Sequence, residues 1–232
     1  MSRGRSGPSG VAPRTVARGP ESIVRPPTLI VKIAGGAMVL GAGSLVALDG
    51  VPRWEEDLFE LLNRGSDGAE WVLWAPMQVG SLFGPVVVGA LTWWRWRKWR
   101  PSGGSVVAGV VAWQVAKIIK NAVARGRPFE LVDGFNRRVG TPMEGLGYVS
   151  GHSAVAFALA SVCSPYLGRR GRAGAFALAT LVGFSRIQVS AHLPLDVLGG
   201  AALGYGLGNL WNLAVGVPER SDAVDPGGRS LE

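Results

Sequence analysis

The sequence predicts an all-α fold, an integral membrane bundle of six transmembrane helices with one short amphipathic helix lying at the interface. Three observations predict it. First, 47% of the 232 residues are hydrophobic and 17% charged, with a mean hydropathy of +0.24, which is too apolar for a soluble domain of this length. Second, the apolar residues gather into runs near the roughly 20 residues needed to cross a bilayer. Third, the 24 Lys and Arg residues sit at the edges of those runs, as topology signals do. The net charge of +8 and pI near 10.5 would suit nucleic acid, but the basic residues lack the aromatic-interleaved surface pattern of such proteins. No nucleic-acid partner is expected. The single cysteine, Cys163, excludes an intrachain disulfide and falls inside an apolar run, as a packed thiol does.

Residues 1–27 are rich in Arg, Gly, Ser and Pro with no apolar core, and read as a disordered basic tail rather than a cleaved signal peptide. The six-span domain then occupies 28–217, and a polar tail covers 218–232. The first span runs from about Leu29 to Leu48, with Lys32 snorkelling towards the tail side. Asp49 to Glu70 is acidic, and within it Trp54, Leu58, Phe59, Leu61 and Leu62 recur at helical spacing, which predicts the interfacial helix. The second span, Trp71 to Trp94, is uncharged and bounded by tryptophans; Pro76 and Pro85 are its expected kink points. Trp93, Trp94, Trp96 and Trp99 read as interface anchors around the basic turn Arg95–Arg100.

The third span covers roughly Gly103 to Lys120, and Asn121 to Val149 is a Gly-rich loop, long enough to be functional. The fourth span starts near Ser150 and ends near Leu167, before a second basic turn at Arg169–Arg172. The fifth is about Ala173 to Ala191 and the sixth about Leu195 to Val217. The Gly35-Gly36 and Gly199-Gly200 pairs suit close helix packing. If six spans alternate, the N-terminal tail and both basic turns share one side, which the positive charge makes the cytoplasm. Both termini are then cytoplasmic in a multi-pass plasma-membrane protein.

Three polar clusters remain, and all fall at the opposite, extracytoplasmic ends of the spans. They are Lys120-x6-Arg127-Pro128, Ser150-Gly151-His152 and Ser185-Arg186-x5-His192-x3-Asp196. Charged groups at membrane depth are costly, and their gathering at one face marks a shared site. This ten-residue pattern resembles the three-part signature of the type 2 phosphatidic acid phosphatase superfamily, which includes bacterial lipid phosphatases and vanadium haloperoxidases. The family pattern begins its middle motif with proline where this chain has Val149, a position that shapes the start of the helix rather than the chemistry.

The resemblance implies a metal-independent hydrolase acting on a lipid phosphate or diphosphate, with no cofactor. Phosphatidic acid, phosphatidylglycerol phosphate and polyprenyl (di)phosphates all suit a site whose substrate keeps its tail in the bilayer. Physical chemistry supports the roles. Lys120, Arg127 and Arg186 supply cationic donors to the phosphate oxygens, with Ser150 and Gly151 adding a helix N-terminus. His192 is the candidate nucleophile, Asp196 sets its tautomer, and His152 serves as general acid and base. Taken singly, Lys120 and Lys117 read as snorkelling anchors at a helix end; spacing selects Lys120 for the site and leaves Lys117 open. Arg125 reads as a solvated loop charge unless the substrate carries a second phosphate. Two other functions suit the same pattern: a phosphotransferase on this scaffold, and a non-catalytic carrier of anionic lipid. Oligomeric state is not legible.

Overall fold

The computed structural model describes residues 22–64, 68–133 and 138–219. Its elements are β1 (Ile23–Val24), α1 (Thr28–Leu48), α2 (Arg53–Asn63), α3 (Ala69–Val79), α4 (Phe83–Trp96), α5 (Trp99–Val123), α6 (Pro128–Leu131), α7 (Gly151–Cys163), α8 (Arg169–Gln188), α9 (Pro194–Val215) and β2 (Val217–Pro218). A 3-10 turn, Ser164–Tyr166, continues α7. The protein is thus mostly helical. By length and apolarity α1 qualifies as a membrane span, as does α5 with its continuation to Leu131, while α3 and α4 qualify together as one broken span. α8 and α9 have the length, at 20 and 22 residues, but dilute their apolar content with arginine, glycine and asparagine.

The expected second span is therefore not a continuous helix. It bends by 67° between Val79 and Phe83, and neither proline sits at the break. Pro76 lies inside α3, and Pro85 lies in the first turn of α4, where a missing N–H costs nothing. Gly80 and Ser81 do the work. A Cβ on Gly80 would stand 2.6 Å from the carbonyl oxygen of His152, so only glycine brings α3 this close to α7. Ser81 Oγ donates to Gln78 O at 2.7 Å and accepts from Phe83 N at 3.3 Å, closing one helix and opening the next.

α7 is the central post. Nearly all of it is buried, and it packs on α5, α8 and α9. Its seam with α9 is built from glycine. Added Cβ atoms on Gly200, Gly204 and Gly208 would lie 2.3, 2.0 and 2.6 Å from the carbonyl oxygens of Ser150, Ala154 and Ala158. One face of α9, repeating every four residues, thus rests directly on α7 backbone. The expected packing glycine of α1 is Gly36, whose Cβ would meet Ala202 O at 2.9 Å, and not Gly35, which faces open space. Alanines complete the centre: Ala108, Ala112 and Ala116 of α5 meet Ala154, Ala158 and Val162 of α7.

Two expectations about the periphery change. The basic tail was expected to reach residue 27, yet β1 pairs antiparallel with β2, Ile23 opposite Pro218 and Val24 opposite Val217. Arg25 also donates to Leu213 O and Ala214 O at the end of α9. Residues 1–21 and 220–232 of the two expected tails lie outside the described residues. α2 forms where the acidic amphipathic helix was expected, but it turns Glu55, Phe59 and Asn63 inward and leaves Trp54, Leu58 and Leu61 exposed. Its buried face is polar at both ends.

Candidate active site

The site lies where α5, α7, α8 and α9 end near the loops that join them. α9 begins with Pro194 in its first turn, which needs no N–H acceptor. Asp196, in the same turn, reaches back so that Oδ2 accepts from Leu193 N at 3.0 Å. That bond aims the carboxylate at the preceding residue, and His192 Nδ1 lies 3.3 Å from the same Oδ2. A proton on Nδ1 donates to the carboxylate, and Nε2 is left with its lone pair. His192 is only 3% exposed. Burial first, then Lys120, Arg186, Arg127 and His152, holds its imidazole well below the usual histidine range.

The second histidine starts α7. Ser150 caps that helix, its Oγ accepting from Ser153 N at 3.4 Å. Its own N–H donates to Asp196 O at 2.8 Å, which fastens the start of α7 to the first turn of α9. This corrects one expectation: Ser150 has no exposed surface and its N–H is spent, so the free N–H groups of α7's first turn are those of Gly151 and His152. A Cβ on Gly151 would press on the Trp113 ring at 3.4 Å. The same indole meets the His152 ring edge-on, with centroids 5.8 Å apart.

Three cations surround the two rings, and Lys120, Arg127 and Arg186 each act electrostatically on both His152 and His192. Lys120 Nζ donates to Leu146 O and Gly147 O, each at 2.8 Å. Arg127 donates through Nε to Gly145 O at 3.1 Å and through Nη1 to Ala191 O at 2.7 Å. Arg186 Nη1 reaches the Met77 sulfur at 3.4 Å, and its Nε is buried with no hydrogen-bond partner. Among the described residues none of the three is paired with a carboxylate. Neutral acceptors orient them without cancelling their charge. Lys117, left open by the sequence, is exposed and stands over the Trp113 ring at 5.9 Å.

Arg125 overturns its expectation. It is 4% exposed rather than solvated, and it bonds Glu55, Asp196 and Gly50 O. Glu55 is a site residue that the sequence reading missed altogether: it comes from α2, is fully buried, and also accepts from Leu195 N at 2.9 Å. The available signal was its spacing of four from Phe59 and of eight from Asn63, a face with too many polar residues for a solvated helix. Asn63 in turn donates to Ile187 O, Gln188 O and Ser190 Oγ, bracing the segment between Arg186 and His192. Gly147 was missed as well. A Cβ there would stand 2.4 Å from Gly126 O and 2.9 Å from Asp196 Oδ2.

A buried imidazole tied to a carboxylate, a second imidazole at a helix start and three uncompensated cations form a constellation for a tetrahedral oxyanion. The model of the PAP2 superfamily matches residues 102–217, a stretch that contains all ten motif residues. The chain belongs to the PAP2 superfamily. Two solved structures superpose on it. A transmembrane PAP2-type phosphatidylglycerolphosphate phosphatase from Bacillus subtilis does so with a TM-score of 0.60 at 20% identity, covering 81% of this chain and 95% of that one. LpxE from Aquifex aeolicus gives 0.56 at 26% identity, over 67% of this chain and 92% of its own. None of the curated proteins matches the chain. Membership explains why the polar motifs share one end of a PAP2 helix bundle, and it leaves the substrate to be argued from the site.

Proposed function

We propose that this PAP2 protein is a membrane lipid phosphatase that hydrolyses a lipid phosphate or diphosphate through a phosphohistidine on His192. The observation that carries this is the His192–Asp196 pair beside three cations that have no carboxylate partner among the described residues. The substrate phosphate sits among Lys120, Arg127 and Arg186, with the Gly151 and His152 N–H groups on further oxygens. The His192 Nε2 lone pair attacks phosphorus in line, and the bond from phosphorus to the lipid oxygen breaks. His152 delivers a proton to that oxygen, which leaves as an alcohol (or as a lipid monophosphate from a diphosphate). His152, now neutral, takes a proton from water, whose oxygen attacks the phosphohistidine. Inorganic phosphate departs and both imidazoles return to their starting states. Asp196 stays ionised throughout and stabilises the charge that develops on His192.

The chain crosses the bilayer six times in this proposal, through α1, the bent α3–α4 pair, α5, α7, α8 and α9. The basic turns Arg95–Arg100 and Arg169–Arg172 then face the cytoplasm with both termini, and the site opens outward. Exposed Trp54, Leu58 and Leu61 on α2 suit a helix lying against the outer leaflet. Membership of the PAP2 superfamily, together with the phosphatase name of the similar Bacillus subtilis structure, favours hydrolysis over carriage. The test is phosphate release by the purified protein in detergent with EDTA present, across phosphatidic acid, phosphatidylglycerol phosphate and a polyprenyl diphosphate. A phosphoenzyme label that survives acid, or turnover by His192→Ala, defeats the mechanism; an acid-labile, base-stable phosphoenzyme on His192 supports it.

A further inference from the structure

The chemistry proposed above uses Asp196 and His192, but a larger buried network ends on them. Arg125 Nη1 donates to Asp196 Oδ1 at 3.0 Å and to Glu55 Oε1 at 3.1 Å. Arg125 Nη2 donates to Glu55 Oε2 at 2.5 Å and to Gly50 O at 2.8 Å. All four Nη hydrogens of the guanidinium are thereby used, and Nε has no partner among the described residues. Glu55 holds the two-pronged side of the fork, so Asp196 receives a single hydrogen, on the oxygen that does not serve the imidazole. Glu55 Oε1 also takes the Leu195 N–H, so the same carboxylate fixes the first turn of α9 on which Asp196 stands.

We infer that Glu55 and Arg125 are positioning residues for the phosphatase reaction, clamping Asp196 so that Oδ2 stays on His192 Nδ1. The physical need is clear from what a free arginine does. A guanidinium prefers two parallel bonds to one carboxylate. Released from Glu55, Arg125 can swing to engage both oxygens of Asp196 and compete with the imidazole for Oδ2. Glu55 prevents this by claiming the fork first. It does so from α2, about 70 residues before Arg125 in the chain, which makes the interfacial helix part of the catalytic apparatus without touching substrate.

This inference rests on the His192 mechanism, so the experiment includes its control. Phosphate release is followed for wild type, Glu55→Gln, Arg125→Lys, the double variant and His192→Ala, each purified in detergent and checked by thermal unfolding. The probe is whichever of phosphatidic acid, phosphatidylglycerol phosphate and polyprenyl diphosphate wild type turns over fastest. Glu55→Gln keeps an acceptor for Leu195 N but cannot take the fork. Its kcat is expected to fall about 10- to 100-fold with KM within about twofold of wild type. The double variant is expected to be no slower than the slower single, because both act through one carboxylate. A folded Glu55→Gln with wild-type kcat, or losses that multiply in the double variant, overturns the inference. If Glu55→Gln does not fold, Arg125→Lys carries the same test, since one ammonium cannot hold both carboxylates and Gly50 O. Activity that survives His192→Ala overturns the mechanism and the inference together, whereas a dead His192→Ala beside an unimpaired Glu55→Gln overturns the inference alone.

Discussion

The two sides of His192 treat positive charge in opposite ways. On one side Arg125 is buried between Glu55 and Asp196, with its charge matched by carboxylates. On the other, Lys120, Arg127 and Arg186 are oriented by backbone carbonyls and a thioether, which are acceptors that carry no charge. Arg125 and Arg127 stand two residues apart on the same loop, and residue type does not tell them apart. Their partners do. A cation that must hold a structure is given an anion in the fold; a cation that must hold a substrate is steered by neutral groups and keeps its field for the incoming anion.

The widest test of this contrast is His192 itself, since both sides are argued to serve it. His192→Ala should fold and lose at least about 10⁴-fold in phosphate release. A loss of only a few fold would leave the two sides without a common purpose. Next comes stability. Arg125→Met strands two buried carboxylates and is expected to cost about 3–5 kcal/mol, read as a lower unfolding temperature in detergent. Arg127→Ala and Arg186→Ala should leave the unfolding temperature nearly unchanged while lowering kcat/KM by about 10²–10³. If instead Arg127→Ala unfolds the protein and Arg125→Met only slows it, the division of labour is reversed.

The smallest effect sharpens the electrostatic side. Burial and the neighbouring cations depress the folded pKa of His192, so below the ordinary histidine value near 6.5 the unfolded chain binds a proton that the folded chain refuses. Stability contributed this way is full above about pH 6.5 and is lost progressively as pH falls towards the folded pKa. The unfolding temperature of wild type should therefore drop more between pH 7 and pH 5 than that of His192→Gln. Equal drops would mean that the cations do not bear on this ring.

Much of this was legible in the chain. The ten motif residues stand at fixed spacing at the ends of apolar runs, and the folded chain gathers Lys120, Arg127, His152, Arg186, His192 and Asp196 at one end of the bundle. What escaped were residues whose partners are remote. Glu55 sits among Glu56, Asp57 and Glu60, where an acidic helix face reads as solvated, and only its spacing of four from Phe59 and of eight from Asn63 marks it as the one of the four that turns inward. Arg125 was misread for the same reason, because its exposure is decided by α2 and α9 and not by its neighbours. The bend between α3 and α4 was assigned to prolines, since proline is the visible helix breaker; the break lies instead beside Gly80, whose contact with α7 exists only once the helices meet.

The glycine seam between α7 and α9 carries one further consequence. At Gly200, Gly204 and Gly208, α9 leans on the bare peptide groups of Ser150, Ala154 and Ala158, so at three successive turns the helix that presents Asp196 puts no side chain of its own against the helix that presents His152. At those three positions there is nothing to trim, and any added side chain prises the helices apart. The distance between acid–base and nucleophile is consequently frozen into the scaffold, and any adaptation to a bulkier or smaller headgroup must be sought on the opposite walls, in the α2–α3 arm and the 138–147 loop.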